Sequence, residues 1–132
     1  MAMTDMACHY VGEPITLKQI ATRQNIALNY LEQIFLNLKR HDLVTSVKGP
    51  GGGYLLARKA AAITIDQILL AMNKDFHLTR CNKEDKLGCM PSNVKCMTHS
   101  LWNDLGDNIL NYLSAISLAD VVSRKRNEAN IF

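Results

Sequence analysis

The chain has 132 residues, 48% of them hydrophobic and 20% charged, which is the make-up of an ordinary globular protein about one domain in size. No run approaches the roughly 18 consecutive apolar residues that a membrane span needs, and no basic segment leads into an apolar core at the start, so a cytoplasmic protein with no membrane partner is expected. The net charge of +3 permits contact with a polyanion without arguing for it, so any nucleic-acid case rests on where the charges sit.

The first zone runs from residue 1 to about Arg58. Cys8, in the apolar segment Met6-Ala7-Cys8, reads as a small buried hydrophobe. Thr16-Leu17-Lys18-Gln19 has the spacing of a capping box and opens a helix that carries Leu17, Ile20 and Ala21. Gln24-Asn25-Ile26-Ala27 breaks the pattern, which resumes with Leu31, Ile34, Phe35 and Leu38 on one helix face. Two short helices around a tight turn form a helix-turn-helix, although this periodicity alone suits any small helical core. The next segment of the chain decides between them. Leu43-Val44-Thr45-Ser46-Val47-Lys48 reads as a strand, Gly49-Pro50-Gly51-Gly52-Gly53 must turn, and Tyr54-Leu55-Leu56-Ala57-Arg58 reads as the return strand. A helix-turn-helix followed by a β-hairpin is a winged helix.

In that arrangement the start of the second helix faces base edges in the major groove. Asn29, Tyr30, Glu32 and Gln33 are the polar residues there. Asn and Gln suit adenine, and Glu can accept from the cytosine amino group. Lys39 and Arg40 at the helix end, and Lys48 on the wing, are the expected phosphate contacts. Gly51 and Gly52 give a tip without side chains that can approach the backbone closely.

Thr64-Ile65-Asp66-Gln67 is a second capping box, opening a helix through about Asn73. The polar loop after it carries Cys81, Cys89 and Cys96 with His99 close behind, at the spacing C-x7-C-x6-C-x2-H. Thiolate and imidazole ligands suit both zinc and iron–sulfur clusters. Spacing alone leaves cluster, zinc and unliganded thiols level. Beyond the loop, Trp102, Leu105, Ile109, Leu113 and Ile116 recur in a heptad-like stripe. The pattern suits a face buried against the chain's own domain equally well, but so long a helix on so small a domain favours a seam between two copies of the chain. Ser117 then caps a last short helix ending near residue 123, and residues 124–132 read as a flexible tail. No paired nucleophile and base occurs, and the glycine run joins two strands instead of a strand and a helix, so no enzyme is expected.

The expected fold is therefore mainly α with a small β-hairpin wing. A winged helix-turn-helix over residues 1–73 is followed by a cysteine loop at 74–97, and a long C-terminal dimerisation helix with its closing helix at 98–123.

Tyr30-Leu31-Glu32-Gln33-Ile34-Phe35, the run from Val47 to Tyr54, and Cys96-Met97-Thr98-His99-Ser100-Leu101-Trp102 closely resemble the IscR-type iron–sulfur assembly regulators and their winged-helix family. Ile116-Ser117-Leu118-Ala119-Asp120 resembles that family's closing helix. The resemblance covers nearly the whole chain. It implies a homodimer on palindromic operators, carrying a [2Fe-2S] cluster on Cys81, Cys89, Cys96 and His99. It also implies that Glu32 helps separate two operator classes. Three departures accompany it. The cysteine intervals are longer, Ala27 and Asn29 stand where serines are usual, and Lys48 replaces an arginine, keeping charge without the bidentate fork. The family pattern also starts upstream of Met3, so the chain is expected to enter the first helix midway, through a mis-assigned start in preference to a fragment or a shortened form that has lost DNA contacts. Zinc-stabilised adaptor, and regulator sensing nitric oxide or iron, are the competing functions.

Overall fold

The computed structural model describes residues 1–73, 76, 78, 90–92 and 94–129. Helices α1 (Ala2–His9), α2 (Leu17–Gln24) and α3 (Leu28–Arg40) come first, then strands β1 (Val44–Val47) and β2 (Gly53–Leu56). A 3-10 turn at Ala60–Ala62 leads to α4 (Ile65–Met72), and α5 (His99–Ser114) and α6 (Leu118–Ala129) complete the order. This is the winged helix-turn-helix expected from the sequence.

Local chemistry sets each boundary. Thr16 caps α2 through a reciprocal box, its hydroxyl accepting from Gln19 N–H at 3.2 Å while Gln19 Oε1 accepts from Thr16 N–H at 2.9 Å. Asn25 ends α2 in the left-handed region at φ 52°, a conformation Asn tolerates better than most residues, and its N–H donates to Ala21 O. Ala27, preceding α3, makes no side-chain cap. A missing cap hydroxyl of this kind costs about 1 kcal/mol.

The hairpin is antiparallel, pairing Val44 with Leu56 and Val47 with Gly53. Tyr54 also exchanges backbone bonds with Ile15, at 2.8 and 2.9 Å, so the wing is anchored to the segment before α2. Gly53 sits against that segment: a Cβ there would lie 2.5 Å from Ile15 O, and at Gly52 one would lie 2.3 Å from Val47 O. Neither position has room for a side chain.

The core gathers Met3 and Met6 of α1, Ile20 of α2, Leu31, Phe35 and Leu38 of α3, Leu43, Val44, Ile63 and Leu118. Phe35 meets Tyr54 edge to face at 5.0 Å, which locks α3 to the wing. Cys8 lies outside this cluster and is only half-buried, in contrast to the buried position expected from its apolar neighbours.

Ile65 N–H donates to Ile116 O at 3.0 Å, and Leu118 N–H to Ile63 O at 2.8 Å. These bonds draw the α5–α6 junction onto the start of α4. Ile116, expected at the end of an intermolecular stripe, is consequently buried within its own chain. Ser117 does begin α6. Asp120 N–H donates to its hydroxyl at 3.1 Å, and Ser117 N–H donates back to the Asp120 carboxylate at 2.9 Å. Those bonds hold the Asp120 carboxyl below its ordinary range. α6 continues to Ala129, further than the closing helix expected to end near 123. Arg, Lys, Glu and Ala are all good helix formers, and they outweigh the absence of apolar periodicity there.

Candidate nucleic-acid interface and cysteine site

α3 turns Leu31, Phe35 and Leu38 inward and leaves Asn29, Glu32, Gln33, Lys39 and Arg40 exposed. At about 100° per residue, Asn29, Gln33 and Arg40 share the face opposite the core. Glu32 and Lys39 fall on the flank beside the wing. Lys39 Nζ donates to Ser46 Oγ of β1 at 2.7 Å, so this cation also ties the helix end to the hairpin. Tyr30 lies on the other flank, where it lines an apolar cavity of about 820 Å³ with Met3, Ile34, Met72 and Leu113. The expected reading residues are thus divided between two flanks and one outer face. Lys48 and Gly51 are exposed at the wing, and Gly52 is half-buried behind them as its N–H closes the turn onto Gly49 O at 2.9 Å.

A group that sequence reasoning missed lies beneath the turn. Asp5 of α1, its side chain 0% exposed, accepts from Arg23 Nη2 at 2.6 Å, from Arg23 Nε at 3.0 Å and from Gln24 Nε2 at 2.8 Å. Burial pushes its carboxyl up, but the hydrogen bonds from Arg23 and Gln24, with the charges of Arg23 and His9, outweigh that and hold it below the usual 3.8. The sequence did carry a signal. An acid at position 5, close to Ala2, Met3 and Met6 on the face that helix buries, is a charge that must find a partner.

Of the cysteine site, Cys96 and His99 lie within the described residues, whereas Cys81 and Cys89 lie outside them. Cys96 is half-buried just ahead of α5, and its carbonyl accepts from His99 N–H at 3.0 Å, which brings thiol and imidazole to the entry of one helix. Thr98 Oγ1 is 3.7 Å from the Cys96 sulfur, and the Asn103 side-chain amide donates to His99 Nε2 at 3.0 Å. A soft thiolate beside a borderline imidazole is a donor pair suited to iron–sulfur or zinc chemistry. No cluster of three or more metal-ligating side chains occurs among the described residues.

α5 carries no buried residue. Trp102 and Leu105 are 37% and 41% exposed, with Leu101 and Tyr112 more so, while Ile109 and Leu113 are half-buried. None of the helices among the described residues is long and apolar enough to cross a membrane.

A helix-turn-helix with an anchored hairpin and a polar exposed second helix defines a winged-helix DNA-binding protein. The Rrf2 profile, described as an iron-dependent transcriptional regulator, matches residues 1–124. The chain belongs to the Rrf2 family of transcriptional regulators. It is 49% identical over 123 residues to ORF2 of Azotobacter vinelandii, named a putative HTH-type transcriptional regulator, covering 93% of this chain and 73% of that one. To IscR of Yersinia pseudotuberculosis it is 44% identical over 124 residues, 94% of this chain and 74% of the relative. Among solved structures, IscR of T. potens superposes with a TM-score of 0.71 at 34% identity, over 94% of this chain and 80% of that one. CymR, the global cysteine regulator of B. subtilis, gives 0.72 at 27% identity, over 92% and 88%.

Proposed function

We propose that the chain works as a homodimer on palindromic DNA and reports iron–sulfur status through a [2Fe-2S] cluster held by Cys81, Cys89, Cys96 and His99. The observation that carries this reading is the position of Cys96 and His99 at the entry to α5, the helix whose Leu101, Trp102 and Leu105 side chains are left exposed by their own chain. A ligand set at that point lies next to the contact between two copies, so its occupancy bears on how two α3 helices are spaced along a duplex.

Each residue has a separate task. Asn29, Gln33 and Glu32 meet base edges, Arg40 and Lys48 meet phosphates, and Trp102, Leu105, Ile109 and Leu113 form the seam. Gly51 and Gly52 let the wing backbone approach the duplex. The cluster, when bound, supplies a redox- and iron-sensitive cross-link between the cysteine loop and α5. Cys96 contributes a thiolate to it and His99 an imidazole nitrogen. A histidine ligand is more readily lost than a thiolate, which suits a sensor.

Anaerobically purified protein tests the reading by its visible spectrum, with iron and acid-labile sulfide assayed on the same sample. Coloured protein holding iron and sulfide in equal amounts, and losing them in Cys96→Ala, is the expected result. A colourless protein containing zinc would overturn the sensor and favour a zinc-stabilised regulator. Release of DNA on titration with nitric oxide or an iron chelator would identify which signal the cluster answers.

A further inference from the structure

Asp5 is the buried charged side chain among the described residues, and its partners are not spread through the core. Apart from His9 of its own helix, 3.5 Å away, they are Arg23 and Gln24, the last two residues of α2. A carboxylate removed from water is costly unless its lone pairs are filled, so the position of these two residues is fixed by the need of Asp5 for donors. Directly after them comes the turn of the helix-turn-helix. Asn25 takes the left-handed conformation, Ile26 N–H donates to Ala21 O at 3.1 Å, and Ala27 gives α3 no side-chain cap. The core stripe and the Phe35–Tyr54 contact hold the body of α3, but with no side-chain cap at its start its first turn is placed by the end of α2. The end of α2 is held by α1.

Arg23 is also partly exposed, 31% by side chain, and an arginine near a helix-turn-helix is an obvious phosphate ligand. Its geometry argues otherwise. Nε and Nη2 are both committed to Asp5, in the forked arrangement that makes arginine–carboxylate pairs the strong ones.

We propose that Asp5, Arg23 and Gln24 form a positioning site for DNA recognition: the clamp fixes the turn that aims α3, and Arg23 serves Asp5 and not a phosphate. This role rests on the reading that α3 enters the major groove. It makes α1, an element with no expected DNA contact, a determinant of specificity.

The test uses the full chain with Asp5→Asn and Arg23→Gln, and Gln24→Ala as a milder change that keeps the ion pair should either fail to fold. In the DNA-free protein, amide exchange at residues 25–31 is expected to quicken about tenfold or more while Val44 and Leu56 of the hairpin keep their protection. Uniform loss of protection, or none, would mean a merely structural contact and overturn the proposal. For binding, the probes are a duplex enriched from a random pool by the wild-type chain and an unselected duplex of equal length, each titrated across salt. Affinity for the enriched duplex is expected to fall about tenfold, with the unselected duplex and the salt slope unchanged, because non-specific binding is phosphate electrostatics. A slope reduced by about one unit in Arg23→Gln would make Arg23 a phosphate contact and overturn this role alone. A wild-type chain that enriches no duplex would overturn the DNA reading, and this role with it.

Discussion

Helices α3 and α5 carry the same kind of sequence pattern and come to opposite ends. In α3 the apolar stripe of Leu31, Phe35 and Leu38 is fully buried, in a helix packed against α2, α4 and the wing. In α5 the stripe of Trp102 and Leu105 stays in the open, and no residue of the helix is fully buried. An amphipathic period therefore says that a face wants cover, and it does not say from where. α3 finds its cover within the chain and can present its polar face to DNA. α5 is half-buried on its own domain at Ile109 and Leu113, Ile116 just beyond it is buried there, and Leu101, Trp102 and Leu105 remain exposed as the face proposed for the dimer seam.

The sharpest way to break this contrast is to change one residue in each helix. Phe35→Ala is expected to cost about 3–5 kcal/mol in urea unfolding, because it empties a filled core site and removes the Tyr54 contact. Leu105→Asp should leave unfolding of the dilute chain nearly unchanged and act on association instead. Sedimentation should show the dimer dissociation constant raised about a hundredfold, roughly 2.8 kcal/mol of lost association. Equal losses of chain stability in both variants would mean that α5 is an ordinary core helix.

Acid should separate the two regions next. Because the folded carboxyl of Asp5 is held below 3.8, its contribution is fully present above that value and is lost as pH falls through the folded one. Unfolding measured from pH 6 downward should therefore weaken below about pH 4, and Asp5→Asn should lose that component of the slope. Dimerisation through the apolar stripe of α5 should not share it. The smallest contrast lies at the helix starts. Thr16→Ala removes a working cap and should cost about 1 kcal/mol, whereas Thr98→Ala should cost much less because Thr98 makes no side-chain cap. Matched thermal melts of the two variants decide it.

Much of the reading surface was legible because it is local. Thr16 with Gln19, Ser117 with Asp120, and the glycine run between two short strands each announce a cap or a turn within a few residues. The two-flank division of α3 was not legible. Tyr30 and Glu32 are two positions apart in the chain, but which flank meets the wing and which meets the cavity depends on elements further along it. The double duty of Lys39 was hidden for the same reason, since Ser46 is on another element. For the cysteine site, spacing gave the residue types but left zinc and cluster level, and Cys81 and Cys89 lie outside the described residues.

By itself the sequence determined where helices start, where the chain turns, which face of each element is apolar and which residue types could bind metal. Those properties depend on side chains within about one helical turn of each other and on backbone conformations that single residues permit or forbid. Tertiary structure alone decided that Asp5 would clamp Arg23 and Gln24, that Ile15 would pair with Tyr54, and that Ile116 would turn into its own chain while Trp102 and Leu105 did not. Each of these joins residues far apart in sequence. A buried charge or an open backbone group takes whichever partner the packed elements bring within reach, and no local pattern names that partner in advance.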